Sequence, residues 1–514
     1  MRAGRRAGAL AVLAAGAATL WAACGVGFAN YDTLYALAWG GQIARGENPA
    51  YGVPIAPTPH PLAEALGVVL SPLSAHAIEE LAVGVGFISL AGCGWLLYRL
   101  GATWFNAAAG ALAAVIFLTR TPVLSYGVRA YIDLPYLALV LAALLAIARR
   151  PRAGGAPLGL LALAGLLRPE AWAFSALYWL YLSWPWLEPR LGARARALGA
   201  SSRALAARLG AGAERAEGEL GRCGPATAGV PDGRRVLVYA ALVALAPAIW
   251  LGSDLAVTGN ALWSLTNTRH TASRLDRVTG IANVPEYIPR RLGEILRIPA
   301  LVGALAGIVM GLRWARTRTL PAVAVTVLAL VVFAAFATVG LPINSRYAFG
   351  AAAMLAILCG AGVFGFLSLP AGRERRVWGL VGATVLVALL AFAPSSFSGA
   401  SRELRKLKLE HRFEGELVAL VHRGAITLRC GPVGVPNHAP IPLLALYMKT
   451  SPSHIVSPET GHIESGVYVK AARREVEVDY VLDPHDPHER ALVPPGFAAV
   501  GGNHSWRLYE RCGS

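Results

Sequence analysis

The sequence predicts a mainly α, polytopic membrane protein of about eleven spans, followed by a small α/β domain at its C-terminal end. Three observations carry this. Of the 514 residues 55% are apolar and only 15% charged, and mean hydropathy is +0.50; soluble proteins keep about a quarter of their residues charged. The basic residues cluster beside apolar runs, as at the cytoplasmic flanks of membrane spans. The last stretch, 395–514, changes character, with more charge and eight of the eleven His. Simple soluble enzymes and disordered chains are thereby excluded. The net charge of +17 (47 basic less 30 acidic) does not point to nucleic acid, because the Arg residues border hydrophobic segments. Lys occurs only at Lys406, Lys408, Lys449 and Lys470, a bias that follows the Ala- and Gly-rich composition and carries no function.

Apolar runs suited to a hydrocarbon core of about 30 Å fall at roughly 8–28, 77–98, 104–118, 134–148, 157–168, 171–185, 236–257, 298–312, 320–340, 349–369 and 377–394. Arg2, Arg5 and Arg6 precede the first and place the N-terminus in the cytoplasm, with 8–28 retained as a signal anchor. Leu20-Trp21-Ala22-Ala23-Cys24 approaches a lipoprotein cleavage site, but Trp21 is bulky where a small branched aliphatic is wanted. The inner loops then carry Arg99; Arg149, Arg150 and Arg152; Arg313, Arg316 and Arg318; and Arg373, Arg375 and Arg376. The basic cytoplasmic loop 189–235 adds nine Arg against four acids, as a helix on the inner leaflet or as a linker. These charges share one side only if 157–187 turns at Arg168-Pro169-Glu170; a straight helix there would be about 46 Å long.

The transmembrane domain is thus 1–394, with outer loops at 29–76 and 258–297, and the exoplasmic α/β domain is 395–514. Val467–Val469 and Val476–Val481 read as strands. Cys430 and Cys512 are the two Cys of this domain and are disulfide candidates in an oxidising space. No 20–50-residue repeat and no matched pair of Gly/Pro-broken helices is present.

The informative polar residues lie on the outer side. The first outer loop runs Asn30-Tyr31-Asp32-Thr33-Leu34-Tyr35, then a helix over 33–45, then Asn48, Pro49 and Tyr51, and closes at Pro59-His60-Pro61-Leu62. Asp32 has two readings: the N-cap of that helix, or a general base at the membrane surface. Asp133 opens the fourth span with the same choice between cap and chemistry. Outer Arg residues run against the positive-inside bias. Arg269, Arg274, Arg277, Arg290, Arg291 and Arg297 lie in loop 258–297, and Arg120, Arg129, Arg168 and Arg346 edge other outer turns. They can grip phosphate, or lipid head groups and neighbouring carboxylates. His60 offers contact to a sugar hydroxyl or a plain loop role, and Glu170 and Asp254 are ionisable groups at span ends. Asp483-Pro484-His485-Asp486-Pro487-His488 has metal-ligand residue types but too few converging oxygens for a hard cation. Walker A, G-x-S-x-G, H-E-x-x-H and paired C-x-x-C patterns do not occur.

The Tyr31-Asp32 pair, its short helix, the Gly46-x-x-Pro49-x-Tyr51 stretch and the Pro61-Leu62 entry resemble the first outer loop of the GT-C superfamily. These are membrane glycosyltransferases that use polyprenyl-phosphate sugars, among them protein O-mannosyltransferases and lipid A aminoarabinose transferases. Tyr131-Ile132-Asp133-Leu134-Pro135, Leu166-Leu167-Arg168-Pro169-Glu170, Thr258 to Ser264, and Ser345-Arg346-Tyr347 fit in order, over residues 8–370. Many relatives carry Asp-Glu in the first loop; here Thr33 follows Asp32, which would act alone.

The resemblance implies an inverting transfer from a polyprenyl-phosphate-linked sugar to a lipid, polysaccharide or protein hydroxyl, within the cell membrane and without nucleic acid. It makes Asp32 the base and puts Asp133 at the second acidic position. A phosphate clamp drawn from the outer Arg residues follows by inference, with Arg346 and one of Arg269 or Arg274 favoured. Arg129, Arg168, Glu170, His60 and Tyr347 complete the substrate-binding set. No redox or nucleotide cofactor is needed, and a divalent metal has room without being indicated. A glycolipid transporter and a membrane scaffold with an exterior binding domain are the rival readings.

Overall fold

The computed structural model describes residues 2–208, 232–459, 461–481 and 492–513. Helices dominate. In chain order they are α1 (Arg2–Cys24), α2 (Tyr31–Ala44), α3 (Pro61–Leu70), α4 (Ala75–Trp104), α5 (Ala107–Leu118), α6 (Thr121–Val128), α7 (Asp133–Arg149), α8 (Gly155–Gly165) and α9 (Glu170–Arg208). They continue with α10 (Gly233–Thr258), α11 (Trp263–Arg274), α12 (Val284–Trp314), α13 (Arg316–Thr338), α14 (Phe349–Phe364) and α15 (Arg373–His422). Seven described helical segments are long and apolar enough to cross a membrane, and the α5–α6 pair, bent by 67°, makes an eighth if it is one span. This is a multi-pass membrane protein. The expected spans 134–148, 157–168 and 171–185 form α7, α8 and the start of α9. The first two are short, and α9 is rich in Trp and Tyr. The chain turns at 166–169, where Pro169 disfavours helix at Arg168.

Close approach of helices needs small residues where lipid gives no hydrophobic drive for association. α12 and α14 meet through Gly307 and Gly362: a Cβ on the first would lie 1.9 Å from the Leu358 carbonyl, and one on the second 2.2 Å from the Gly303 carbonyl. α12 is broken at Arg297, whose φ of 66° leaves the helical region, so an outer segment precedes the apolar span that begins at Ile298.

The C-terminal domain adds β1 (Val433–Gly434), α16 (Ile441–Tyr447), β2 (Ile455–Val456), β3 (Gly466–Ala471), β4 (Ala498–Gly502) and β5 (Trp506–Arg511). Its sheet order is β2-β1-β3-β5-β4. β1 pairs in parallel with β2 and β3, whereas β5 runs antiparallel to β3 and β4, with Tyr468 opposite Tyr509. Val467–Val469 lies in β3 as expected, but Val476–Val481 is a helical turn and not a strand. Its apolar ends, Val476 and Val481, both reach the core from that turn, which alternation alone cannot distinguish from a strand. The Asp483–His488 motif lies outside the described residues, as does the stretch 209–231 of the 189–235 loop.

The boundary placed at 394/395 falls inside α15, a continuous 50-residue helix that is about 75 Å long at 1.5 Å per residue. Its last turns share one hydrophobic core with the sheet, α16 and the first loop: Leu34, Tyr35 and Trp39 pack in the same cluster as Phe413, Leu444 and Trp506. Polar fasteners flank that core. Tyr447 donates to Glu79 Oε2 at 2.6 Å, Ser125 donates to Glu403 Oε1 at 2.9 Å, and Arg129 Nη2 meets Glu410 Oε2 at 2.6 Å.

Cys430 and Cys512 are joined by a disulfide across 82 residues of chain, tying the segment before β1 to the end of β5. Replacing both with Ser is expected to destabilise the domain by about 2–5 kcal/mol. Thermal unfolding and limited proteolysis of the domain, compared with the wild type, measure this loss.

Candidate active site

The site is built from α2 outward. Asn30, not Asp32, caps α2: its side chain accepts the Thr33 N–H at 3.0 Å. The buried Thr33 hydroxyl donates to the Ala130 carbonyl at 2.8 Å and pins the helix start to the α6–α7 turn. Asp32 is therefore free of the capping duty, and its Oδ2 lies 2.6 Å from Arg346 Nη1. Asp133 is likewise the first residue of α7 without serving as its cap, and its Oδ1 lies 2.6 Å from Arg168 Nη2. Glu170 Oε1 approaches the same guanidinium at 3.8 Å. Both Arg168 and Arg346 sit over the Tyr347 ring, at 5.2 and 5.6 Å from its centroid.

Asp32, Arg168, Arg346 and Tyr347 open onto a cavity of about 610 Å³. Tyr126 and Tyr131, stacked at 4.1 Å, form part of its wall. Leu251, Leu262 and Val339 form another part and are themselves exposed, Leu251 on the apolar α10 and the other two at helix ends. Asp254 lines the cavity and accepts both the backbone N–H and the hydroxyl of Ser264, at 2.8 and 2.9 Å, which fixes the start of α11. The C-terminal domain contributes His438 and Ala439. His438 Nδ1 is 2.8 Å from Glu459 Oε1, and its ring meets Tyr31 edge-on at 5.4 Å.

Electrostatics sharpen the picture. Burial works to raise the Asp32 carboxyl, but Arg346, helped by Arg168, outweighs it and holds the group below the usual carboxylate range. Asp32 is thus ionised and paired, and a modest base while Arg346 stays in place. His60 is buried, stands edge-on to Trp250 at 5.7 Å, and leaves Nδ1 without a hydrogen-bond partner. Burial, then the charge of Arg168, pushes its imidazole down to about 3 against the partial pull of Asp32. A neutral His60 can exchange hydrogen bonds with a sugar hydroxyl but carries no charge near pH 7.

Asp32, His60, Arg168, Arg346 and Tyr347 are brought together on the cavity, with Asp133 behind Arg168. Glu170 borders a narrow apolar slot that also touches Arg346 and Tyr347. Arg129 is tied to α15 instead of the cavity. Arg269 packs beside Gly340 and Arg274 ends α11, and neither lines the cavity; Arg277 and Arg291 do. The helical period accounts for this. Ser264, Leu265, Thr268, Thr271 and Ala272 form the face of α11 turned to the cavity, and Arg269 and Arg274 fall off that face. His438 carried no sequence signal, because it reaches the site only through the docking of a distant domain. Among the described residues, the one group of three potential metal ligands is Cys430, Glu510 and Cys512, and its two thiols are joined to each other.

The fold is a helical bundle with a charged cavity at helix ends beneath a small α/β domain. It is similar to the crystal structure of ArnT from Cupriavidus metallidurans bound to undecaprenyl phosphate, over 98% of each chain, at 13% identity and a TM-score of 0.50. The apo state of that protein aligns over 98% of each chain at 14% identity and a TM-score of 0.46. No family model and no curated protein matches the sequence.

Two outcomes follow from these contacts. Arg168→Met leaves two buried carboxylates facing each other and is expected to cost about 3–5 kcal/mol, read as a lowered thermal midpoint in detergent. Adding Asp133→Asn to that variant should recover part of the loss. For His60, the folded chain favours the neutral ring, while the unfolded chain takes up a proton near pH 6.5. Its contribution to stability is full above about pH 6.5 and declines as pH falls toward 3. Thermal midpoints at pH 7.5 and 5.0 should therefore differ more for the wild type than for His60→Gln.

Proposed function

We propose that this chain is a membrane glycosyltransferase that moves a sugar from a polyprenyl-phosphate donor to an acceptor hydroxyl on the outer face, with inversion. The observation that carries the reading is the juxtaposition, at 2.6 Å in one cavity, of a carboxylate able to take a proton and a guanidinium able to hold a phosphate. Such a transfer needs both. The exposed Leu251, Leu262 and Val339 give the cavity an apolar side by which a lipid-linked donor can enter from the bilayer. The fold is shared with a protein crystallised with undecaprenyl phosphate, which is in keeping with such a donor.

In this reading the acceptor oxygen attacks the anomeric carbon from the face opposite the phosphate. Its proton passes to Asp32, the bond from the anomeric carbon to the phosphate oxygen breaks, and the electron pair leaves with the phosphate. Arg346 and the mouth residue Arg277 stabilise that leaving group; Arg168, held by Asp133 and Glu170, keeps Tyr347 and the floor of the cavity in place. His60 hydrogen-bonds the sugar as a neutral ring. The Arg-rich segments put the N-terminus in the cytoplasm and the α/β domain outside, where its His438 wall faces the acceptor.

Wild type and Asp32→Asn protein, reconstituted in lipid, should be given a panel of polyprenyl-phosphate sugars, with release of free polyprenyl phosphate followed with and without acceptors. Release by the wild type and a loss of at least 100-fold in the folded variant is the expected result. Equal release by both would retain the transferase and move the base to Asp133. Absence of release from every donor would favour a transporter.

A further inference from the structure

Among the described residues four arginines line the cavity, and they differ in what holds them. Arg168 is taken by Asp133 and Glu170. Arg291 is taken by Glu294 at 2.8 Å and donates to the Ile343 carbonyl at 3.0 Å. Arg277 is exposed at the mouth. Arg346 meets a single carboxylate, Asp32, through Nη1 at 2.6 Å, and its buried Nε, like that of Arg168, has no hydrogen-bond partner. An unsatisfied buried N–H on a charged group is costly unless something is to fill it. A phosphate oxygen is the natural acceptor, because guanidinium edges bind phosphate through parallel N–H groups.

We propose that Arg346 serves two anions at once, Asp32 through Nη1 and the donor phosphate through its Nε edge, so that base and leaving group are coupled by a single guanidinium. This rests on the transferase reading and adds its regulation. One positive charge shared between two anions holds each less firmly than it would hold either alone. A seated donor therefore weakens the grip of Arg346 on Asp32, and the burial of Asp32 then favours its taking up a proton. Without donor, Asp32 stays locked as a salt-bridge partner. The coupling is reciprocal: whatever neutralises Asp32 must strengthen phosphate binding by the same factor. Arg168 has an open Nε as well, but its charge already answers two carboxylates, which leaves less of it for a phosphate than Arg346 has beside Asp32 alone.

Undecaprenyl phosphate is the probe, and its equilibrium binding to purified protein in detergent is the readout, with size-exclusion profiles checking the fold of each variant. Asp32→Asn should bind about 10-fold tighter than wild type. Asp32→Glu, which keeps the competing charge, should stay within about 3-fold of wild type. Arg346→Lys should bind about 10-fold weaker, because one ammonium cannot present two separate N–H edges. Asp133→Asn removes an equal charge from the partner of Arg168 and should change binding less than Asp32→Asn does. Unchanged or weaker binding by Asp32→Asn, or equal tightening by Asp133→Asn, would overturn the coupling. Absence of binding to the wild type would overturn both the coupling and the transferase reading. Sugar transfer, assayed separately, tells the two apart. Transfer that depends on Asp32 without the binding gain removes only the coupling, whereas the binding gain in a protein that transfers no sugar removes only the transferase.

Discussion

A charge buried at the edge of a membrane must be paired, and in this protein that requirement organises the site. Asp32 with Arg346, and Asp133 and Glu170 with Arg168, surround the single ring of Tyr347. The partners come from α2, α7, the turn into α9 and the segment before α14, so one charge cluster fixes four distant parts of the chain against each other. Removing either guanidinium leaves buried carboxylate charge uncompensated, which is far costlier than the net worth of the intact pair. The same pairing limits what the site can bind: three carboxylates and two guanidinium groups leave little positive charge uncommitted, and any incoming anion must share what is there.

The second constraint is the shared core of the first loop and the C-terminal domain. Trp39 and Tyr35 of α2 pack in one cluster with Phe413, Leu444 and Trp506, so α2 is oriented from above by a domain several hundred residues away. α15 carries the chain from the bundle into that domain without a break, and Arg129 and Glu410 clamp it to the α6–α7 turn. Asp32 is thus positioned twice, by the Asn30 cap and Thr33 anchor below and by the aromatic core above. The Thr33 that follows Asp32 in place of an acidic residue has a structural reason, its hydroxyl being committed to the Ala130 carbonyl.

Much of the fold was legible in the sequence. The long apolar helices, the turn before Glu170, the start of the α12 span after Arg297 and the change of character in the C-terminal region all follow from local hydropathy and charge. The failures were local as well. Val476–Val481 has strand-like alternation but forms a helical turn, and the capping role that Asp32 and Asp133 could have filled fell to Asn30 in one case and to no side chain in the other. Around the cavity, Asp32, His60, Arg168, Arg346 and Tyr347 were within reach of sequence reasoning, because each stands out as a polar group beside an apolar run. Arg277, Arg291 and His438 were not singled out. Choosing among six arginines in one loop requires knowing which face of α11 is turned inward, and His438 requires knowing where the C-terminal domain docks.

Hydropathy and charge bias are sums over neighbouring residues, and the bilayer reads them in the same way that a sequence window does. Membrane class and the positions of the long apolar helices were therefore legible in the sequence, as was the inventory of polar groups beside them. Pairing is not such a sum. That Arg346 meets Asp32 while Arg168 meets Asp133 depends on ångström-scale distances between residues as far as 314 positions apart. Those distances are set by glycine-mediated helix contacts and by the aromatic core beneath the C-terminal domain. Coulomb energies at such short range in a poorly screened site change by kilocalories over an ångström, so the packing of the whole chain decides which charge meets which.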